Sequence, residues 1–268
     1  MCHIYRSLGR MVVIGLIAFS FQGCSEGGGV NIFSLEDDKA LGAQIAASIL
    51  GDPAQFPLID PEVYPKMYGF LYGMRDSILA TQAVVHAQDF EWQLHVIHND
   101  TIVNAFCTPG GYIYIYTGLL KFMSNEAELA GVLAHEMAHA DLRHSTDQLT
   151  KAYGISLLLS LLVGENGSAI ADIAAGLSQL AFSRSDEAQA DAYAVSYLCG
   201  TQYNADEAAA FFEKINTQEG TQIPDFLSTH PNPDDRVEAI REKSTELACP
   251  GEETYAQQYV LFLKELPK

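Results

Sequence analysis

The sequence predicts an α+β fold, mostly helical, with a small mixed or antiparallel β-sheet set beside one histidine-bearing helix. Three observations predict it. Three short β-prone runs lie between Glu91 and Tyr116, almost everything from Leu119 onward reads helical, and no internal repeat or composition shift divides the 268 residues. Hydrophobic residues make up 48% and charged residues 18%, enough apolar material for one core without disulfides or metal, which excludes a disordered chain. Residues 32–268 are expected to form a single domain.

The chain opens outside that domain. Residues 1–23 contain Arg6 and Arg10, no acid, and the apolar run Met11 to Phe21, the pattern of a secretory signal. Gly23 precedes Cys24, and Ser25 to Gly29 reads as a flexible tether, so the segment resembles a bacterial lipoprotein lipobox. The expectation is a signal peptide over 1–23, acylation at Cys24, a tether over 24–31, and a periplasmic domain anchored to a membrane by acyl chains. Ser25 is not the Asp that commonly marks inner-membrane retention in enteric lipoproteins, which points to the inner face of the outer membrane. No later segment has the roughly 20 apolar residues of a span. Ile155 to Val163, the most apolar stretch, reads as a buried helix.

Within the domain, Ser34 with Glu36 and Asp37 signals a helix start, and Leu41, Ile45 and Ile49 recur at helical spacing until Gly51-Asp52-Pro53. A second helix is expected over 61–85, with Tyr64, Met67, Phe70, Leu71 and Met74 inward. Glu91 to Ile97 alternates polar and apolar residues, Ile102 to Cys107 is short and apolar, and Tyr112, Ile113, Tyr114, Ile115 and Tyr116 are strongly β-prone. Thr108-Pro109-Gly110-Gly111 joins the last two as a turn.

The charge balance is unusual. With 34 acidic residues against 15 basic the formal net charge is −19, which excludes a phosphate-tracking nucleic-acid binder, since that role needs Lys and Arg. The acidity reads as solubility.

The chemistry concentrates in His135-Glu136-Met137-Ala138-His139, an HExxH motif. Asn125 with Glu128 can cap its helix, and Leu129, Val132, Leu133 and Met137 give that helix a buried stripe. Spacing of i and i+4 puts both imidazoles on one face, where two nitrogens can meet one ion, with Glu136 alongside as a base. A catalytic zinc site needs a third protein ligand. His144 lies about 140° round a continuous helix from His139, so it is a poor ligand and reads as a cation near a helix C-terminus. Glu187 and Asp191 share a helix face, so one carboxylate can bind metal while the other accepts a hydrogen bond from a ligand imidazole.

Four separated motifs carry a family resemblance. Asn104-Ala105-Phe106-Cys107-Thr108-Pro109-Gly110-Gly111, followed by Tyr116 to Leu120, precedes HEMAH; Ser183 to Asp191 comes next, and Thr229-His230-Pro231 with Pro233 and Arg236 follows. In this order they resemble the M48 family of zinc metallopeptidases, and within it the soluble periplasmic lipoprotein members, without a tetratricopeptide extension. The resemblance implies a zincin-like (gluzincin) domain holding one Zn2+ per chain through His135, His139 and Glu187. It further implies Glu136 as catalytic base, Asp191 orienting a ligand histidine, and His230 near the active site. His230 can serve as an oxyanion donor, or as an inhibitory fourth ligand at rest.

The family pattern does not need a nucleophile at Cys107, which is expected to be a buried free thiol. Cys2 leaves with the signal and Cys24 is acylated, so Cys199 and Cys249, in peripheral C-terminal segments, are expected to pair as a disulfide. Tyr112 to Tyr116 is expected to form a sheet edge beside the active-site helix, where an extended substrate adds as a strand. The function expected is a zinc endopeptidase acting on unfolded or misassembled envelope polypeptides. The rival is a non-catalytic chaperone or assembly factor for outer-membrane proteins using the same groove. Oligomeric state is not legible.

Overall fold

A computed structural model describes residues 31–217, 225–231 and 235–268. The expected signal peptide and Cys24 lie outside the described residues, as do Pro233 and all of the tether except Asn31. The elements run α1 (Leu35–Gly51), α2 (Pro65–Leu79), β1 (Gln93–Ile97), β2 (Ala105–Thr108), β3 (Tyr112–Tyr116), α3 (Thr117–Phe122) and α4 (Glu126–Asp141). They continue with α5 (His144–Tyr153), α6 (Ile155–Leu162), α7 (Gly167–Gly176), α8 (Arg184–Leu198), α9 (Glu207–Thr217), α10 (Asp225–Thr229), α11 (Arg236–Leu247) and α12 (Ala256–Phe262). The fold is mostly helical with one three-stranded mixed sheet.

Local chemistry sets the helix starts. The Ser34 side chain accepts from the Asp37 N–H while the Asp37 carboxylate accepts from the Ser34 N–H, a reciprocal cap, and Leu41, Ile45 and Ile49 of α1 are buried. The expected helix over 61–85 is shorter at both ends. Asp60 takes up the N–H groups of Glu62, Val63 and Tyr64 in a turn before Pro65. Thr81 Oγ1 donates to Ile78 O, and Gln82 then turns left-handed at φ 62°.

The sheet corrects one expectation. Its order is β1-β3-β2, with β1 parallel and β2 antiparallel to β3, so Tyr112 to Tyr116 form the central strand and not an edge. The β-prone run was visible, but strand order depends on which distant segment pairs with it. Both sheet faces are covered: Ile113 and Ile115 face the larger core, Tyr114 and Tyr116 a second cluster beneath α1 and α5 to α7. Gly110 and Gly111 make the β2–β3 turn at φ 80° and 89°, a backbone region that disfavours other residues.

Helix α4 is the centre of the domain. Every residue from Ala127 to Asp141 is buried, with β2 on one side and α8 and α9 on others. Gly131 lets α9 approach, since a Cβ there would lie 2.6 Å from the Ala208 Cα. The reading of Ile155 to Val163 as a buried helix needs correction: Leu158 and Leu161 are buried, whereas Ile155, Leu159 and Val163 are exposed along one stripe. Among the described residues no helix is long and apolar enough to cross a membrane. Cys199 and Cys249 form a disulfide, with Cα atoms 4.5 Å apart, and Cys107 is free and buried.

Candidate metal centre

The site forms where α4, α8 and the end of α10 meet. On α4, the Asn125 side chain accepts from the Glu128 N–H at 2.8 Å, and the Glu128 carboxylate takes the Ser124 N–H, which fixes where the helix begins. On α8, Ser183 and Asp186 form another reciprocal cap, so Glu187 enters in the first turn and Asp191 follows one turn later. His230 closes the set, its N–H bonded to the Phe226 carbonyl at 2.8 Å.

Potential ligand atoms converge. His135 Nε2 and His139 Nε2 are 3.0 Å apart, and they lie 3.4 and 3.3 Å from the Glu187 carboxylate. His230 Nδ1 is 3.3 Å from His135 Nε2 and 3.0 Å from Glu187 Oε1. Atoms about 2.0–2.1 Å from one ion in a tetrahedron stand about 3.4 Å apart, so these separations match a four-ligand cage for a divalent metal. The donor set, three imidazole nitrogens and a carboxylate, fits such an ion as well. Glu136 stands beside the cage, its Oε1 3.4 Å from His230 Nε2, and both carboxylate oxygens are buried without a hydrogen bond.

Electrostatics follow from burial and pairing. Burial pushes the Glu136 carboxyl above its ordinary value. Burial opposes charging His135, yet hydrogen bonds to Asp191 and Glu187 raise it to about 9, while burial drives His139 well below the usual imidazole range. Glu187 is desolvated too, but His230 and hydrogen bonds from three imidazoles hold it well below the carboxylate range. Burial raises the Cys107 thiol well above its usual value, so it is no thiolate nucleophile.

Sequence reading missed three residues. Arg236, 2% exposed, places Nη1 3.0 Å from Glu187 Oε2 and Nη2 2.7 Å from Asp191 Oδ1, with its guanidinium 3.6 Å over the Phe212 ring. It neutralises two buried acids that would otherwise repel each other. The motif containing Arg236 was visible, but its bridging role needs the α8–α11 packing. Phe182 stacks on His139 with centroids 3.7 Å apart, and Phe226 stacks on His230 at 4.2 Å. Nothing local in the sequence marks either ring. Together they leave His139, Glu187, Glu136 and His230 at 0% exposure, so the site is closed.

The expectation for His144 also changes. It is buried at the first position of α5, and burial lowers its pKa, so it is not an exposed cation at a helix C-terminus.

The sequence pattern of residues 75–244 matches that of Peptidase family M48. The chain belongs to this family. As an M48 metallopeptidase, it is 35% identical over 154 residues to the mitochondrial metalloendopeptidase OMA1 of Arabidopsis thaliana, covering 57% of this chain and 32% of that one. It is 30% identical over 186 residues to the beta-barrel assembly-enhancing protease of Escherichia coli K12, covering 63% of this chain and 38% of that relative. In these matches the chain spans well under two thirds of the relatives' length.

Proposed function

We propose that this M48 metallopeptidase is a zinc endopeptidase that cleaves unfolded or misassembled cell-envelope polypeptides, tethered at the periplasmic face of the outer membrane through acylated Cys24. The observation that carries the zinc reading is the convergence of His135 Nε2, His139 Nε2 and Glu187 beside the Glu136 carboxylate, which makes no hydrogen bond. A bound zinc ion supplies a Lewis acid that polarises the scissile carbonyl and eases deprotonation of water. Glu136 takes the proton of the attacking water and returns it to the leaving amine, a role helped by a carboxyl pKa raised by burial. Asp191 holds the His135 ring from behind, and Arg236 holds Asp191 and Glu187 in register.

His230 Nδ1 sits among the ligand atoms, where it fills the position that catalysis needs free. This geometry favours the resting, inhibitory role for His230. Substrate recognition then falls to β2, the edge strand packed against α4, through backbone hydrogen bonds that tolerate varied sequences. The envelope setting rests on the lipobox-like segment at Cys24 and on the relatives named beta-barrel assembly-enhancing protease. Casein cleavage with and without a chelator tests the peptidase reading, and peptides recovered from the native envelope test the substrate class. Chelator-insensitive casein cleavage, or no cleavage, contradicts the first; the second fails if those peptides come from folded cytoplasmic proteins.

A further inference from the structure

His139 needs a proton on Nδ1 if its Nε2 is to bind a metal, and that proton needs an acceptor in a buried site. For His135 the matching atom faces a carboxylate, with Asp191 Oδ1 3.0 Å from Nδ1. For His139 it faces another imidazole: His144 Nδ1 is 3.1 Å away, and His144 Nε2 is 3.2 Å from Gln189 Oε1. We propose that His144 is the positioning residue for His139, accepting its Nδ1–H and donating its own Nε2–H to the Gln189 amide oxygen. The inference rests on the metal-centre reading above and extends it to a residue outside the ligand set.

Two N–H groups cannot point at each other across 3.1 Å, so one of the facing Nδ1 atoms must be a lone pair. With His139 presenting Nε2 to the cage, that lone pair belongs to His144. Its remaining proton then sits on Nε2, where the Gln189 oxygen can only accept. Each link fixes the next tautomer, and the chain ends on α8, the helix that also supplies Glu187 and Asp191.

The backbone makes this contact possible. Helix α4 stops at Leu142, Arg143 adopts φ 62°, and α5 restarts at His144, which brings its ring back onto His139. Arg143 is held in that conformation by Asp38 at 2.5 Å and by the carbonyls of Phe33 and Ser34. A straight helix would leave His144 pointing away.

The test measures zinc dissociation constants by chelator competition and imidazole tautomers by proton–nitrogen spectra of the zinc-loaded protein. His144→Leu removes the acceptor and is expected to weaken zinc roughly 10–100-fold, as loss of an outer hydrogen bond to a ligand does. His144→Asn keeps an oxygen near the Nδ1 position and is expected to recover most of that loss. The wild type is expected to show His139 as the Nδ1–H form and His144 as the Nε2–H form, a readout that does not depend on any variant folding. Zinc affinity unchanged in His144→Leu, equal loss in both variants, or His144 as the Nδ1–H form overturns this inference alone. A wild type that takes up no zinc overturns the metal-centre reading and this inference with it.

Discussion

Asp191 Oδ1 lies 3.0 Å from His135 Nδ1 and 2.7 Å from Arg236 Nη2, so one buried carboxylate both orients a ligand imidazole and anchors the arginine that pairs with Glu187. Asp191→Asn keeps the shape but loses the charge that favours the His135 Nδ1–H. We expect zinc affinity to fall about 10–100-fold with the fold retained. Unchanged affinity in a chelator titration would separate Asp191 from the metal site.

The Glu136 carboxylate, the proposed base, makes no hydrogen bond in the described structure and has only His230 Nε2 beside it at 3.4 Å. Glu136→Gln is therefore expected to keep stoichiometric metal while losing about three orders of magnitude in casein turnover. Near-normal turnover would remove Glu136 from the mechanism, and would revive the rival reading in which the groove only holds polypeptides.

His230 points Nδ1 at Glu187 and Nε2 at Glu136, and the proposed resting role has it fill the fourth position. His230→Ala is expected to raise casein turnover, because the fourth position becomes free. If His230 instead donates to the oxyanion in the transition state, turnover falls by about two orders of magnitude. Matched rates at equal zinc loading decide between the two.

How much of this was legible follows from which contacts are local. The HExxH pair, the helix starts at Ser34 and Asn125, and the two-glycine turn are short-range patterns, and their chemistry was readable from spacing alone. Tyr112 to Tyr116 was readable as a strand but not as the central one, because β1 pairs with it in parallel across the crossover that carries β2, a pairing that spacing does not show. His144 stays outside the ligand group as the spacing implied, but its reading as a cation near a helix C-terminus failed because the left-handed Arg143 turns the chain and buries His144 at the start of α5. Arg236 and Phe182 act only once α8, α10 and α11 are packed.

Burial raises the pKa of Tyr68 to about 12, and its hydroxyl donates to Ile59 O while accepting from the Val96 N–H. Tyr116 is raised to about 12 for the same reason. A folded-state value above the unfolded value of about 10 means the stability is intact below pH 10 and is lost as pH rises through about 12. Each tyrosine steepens that loss by up to roughly 1.4 kcal/mol per pH unit. Thermal melts at pH 9 and 11 are expected to show a smaller drop in Tm for Tyr68→Phe than for the wild type. An equal drop would mean that Tyr68 ionises freely in the folded protein.

Elemental analysis of carefully purified protein tests most directly whether His135, His139 and Glu187 hold one zinc ion. About one zinc per chain is expected, restored by added metal after chelation. Less than about 0.2 zinc per chain, with no regain on adding metal, would contradict it.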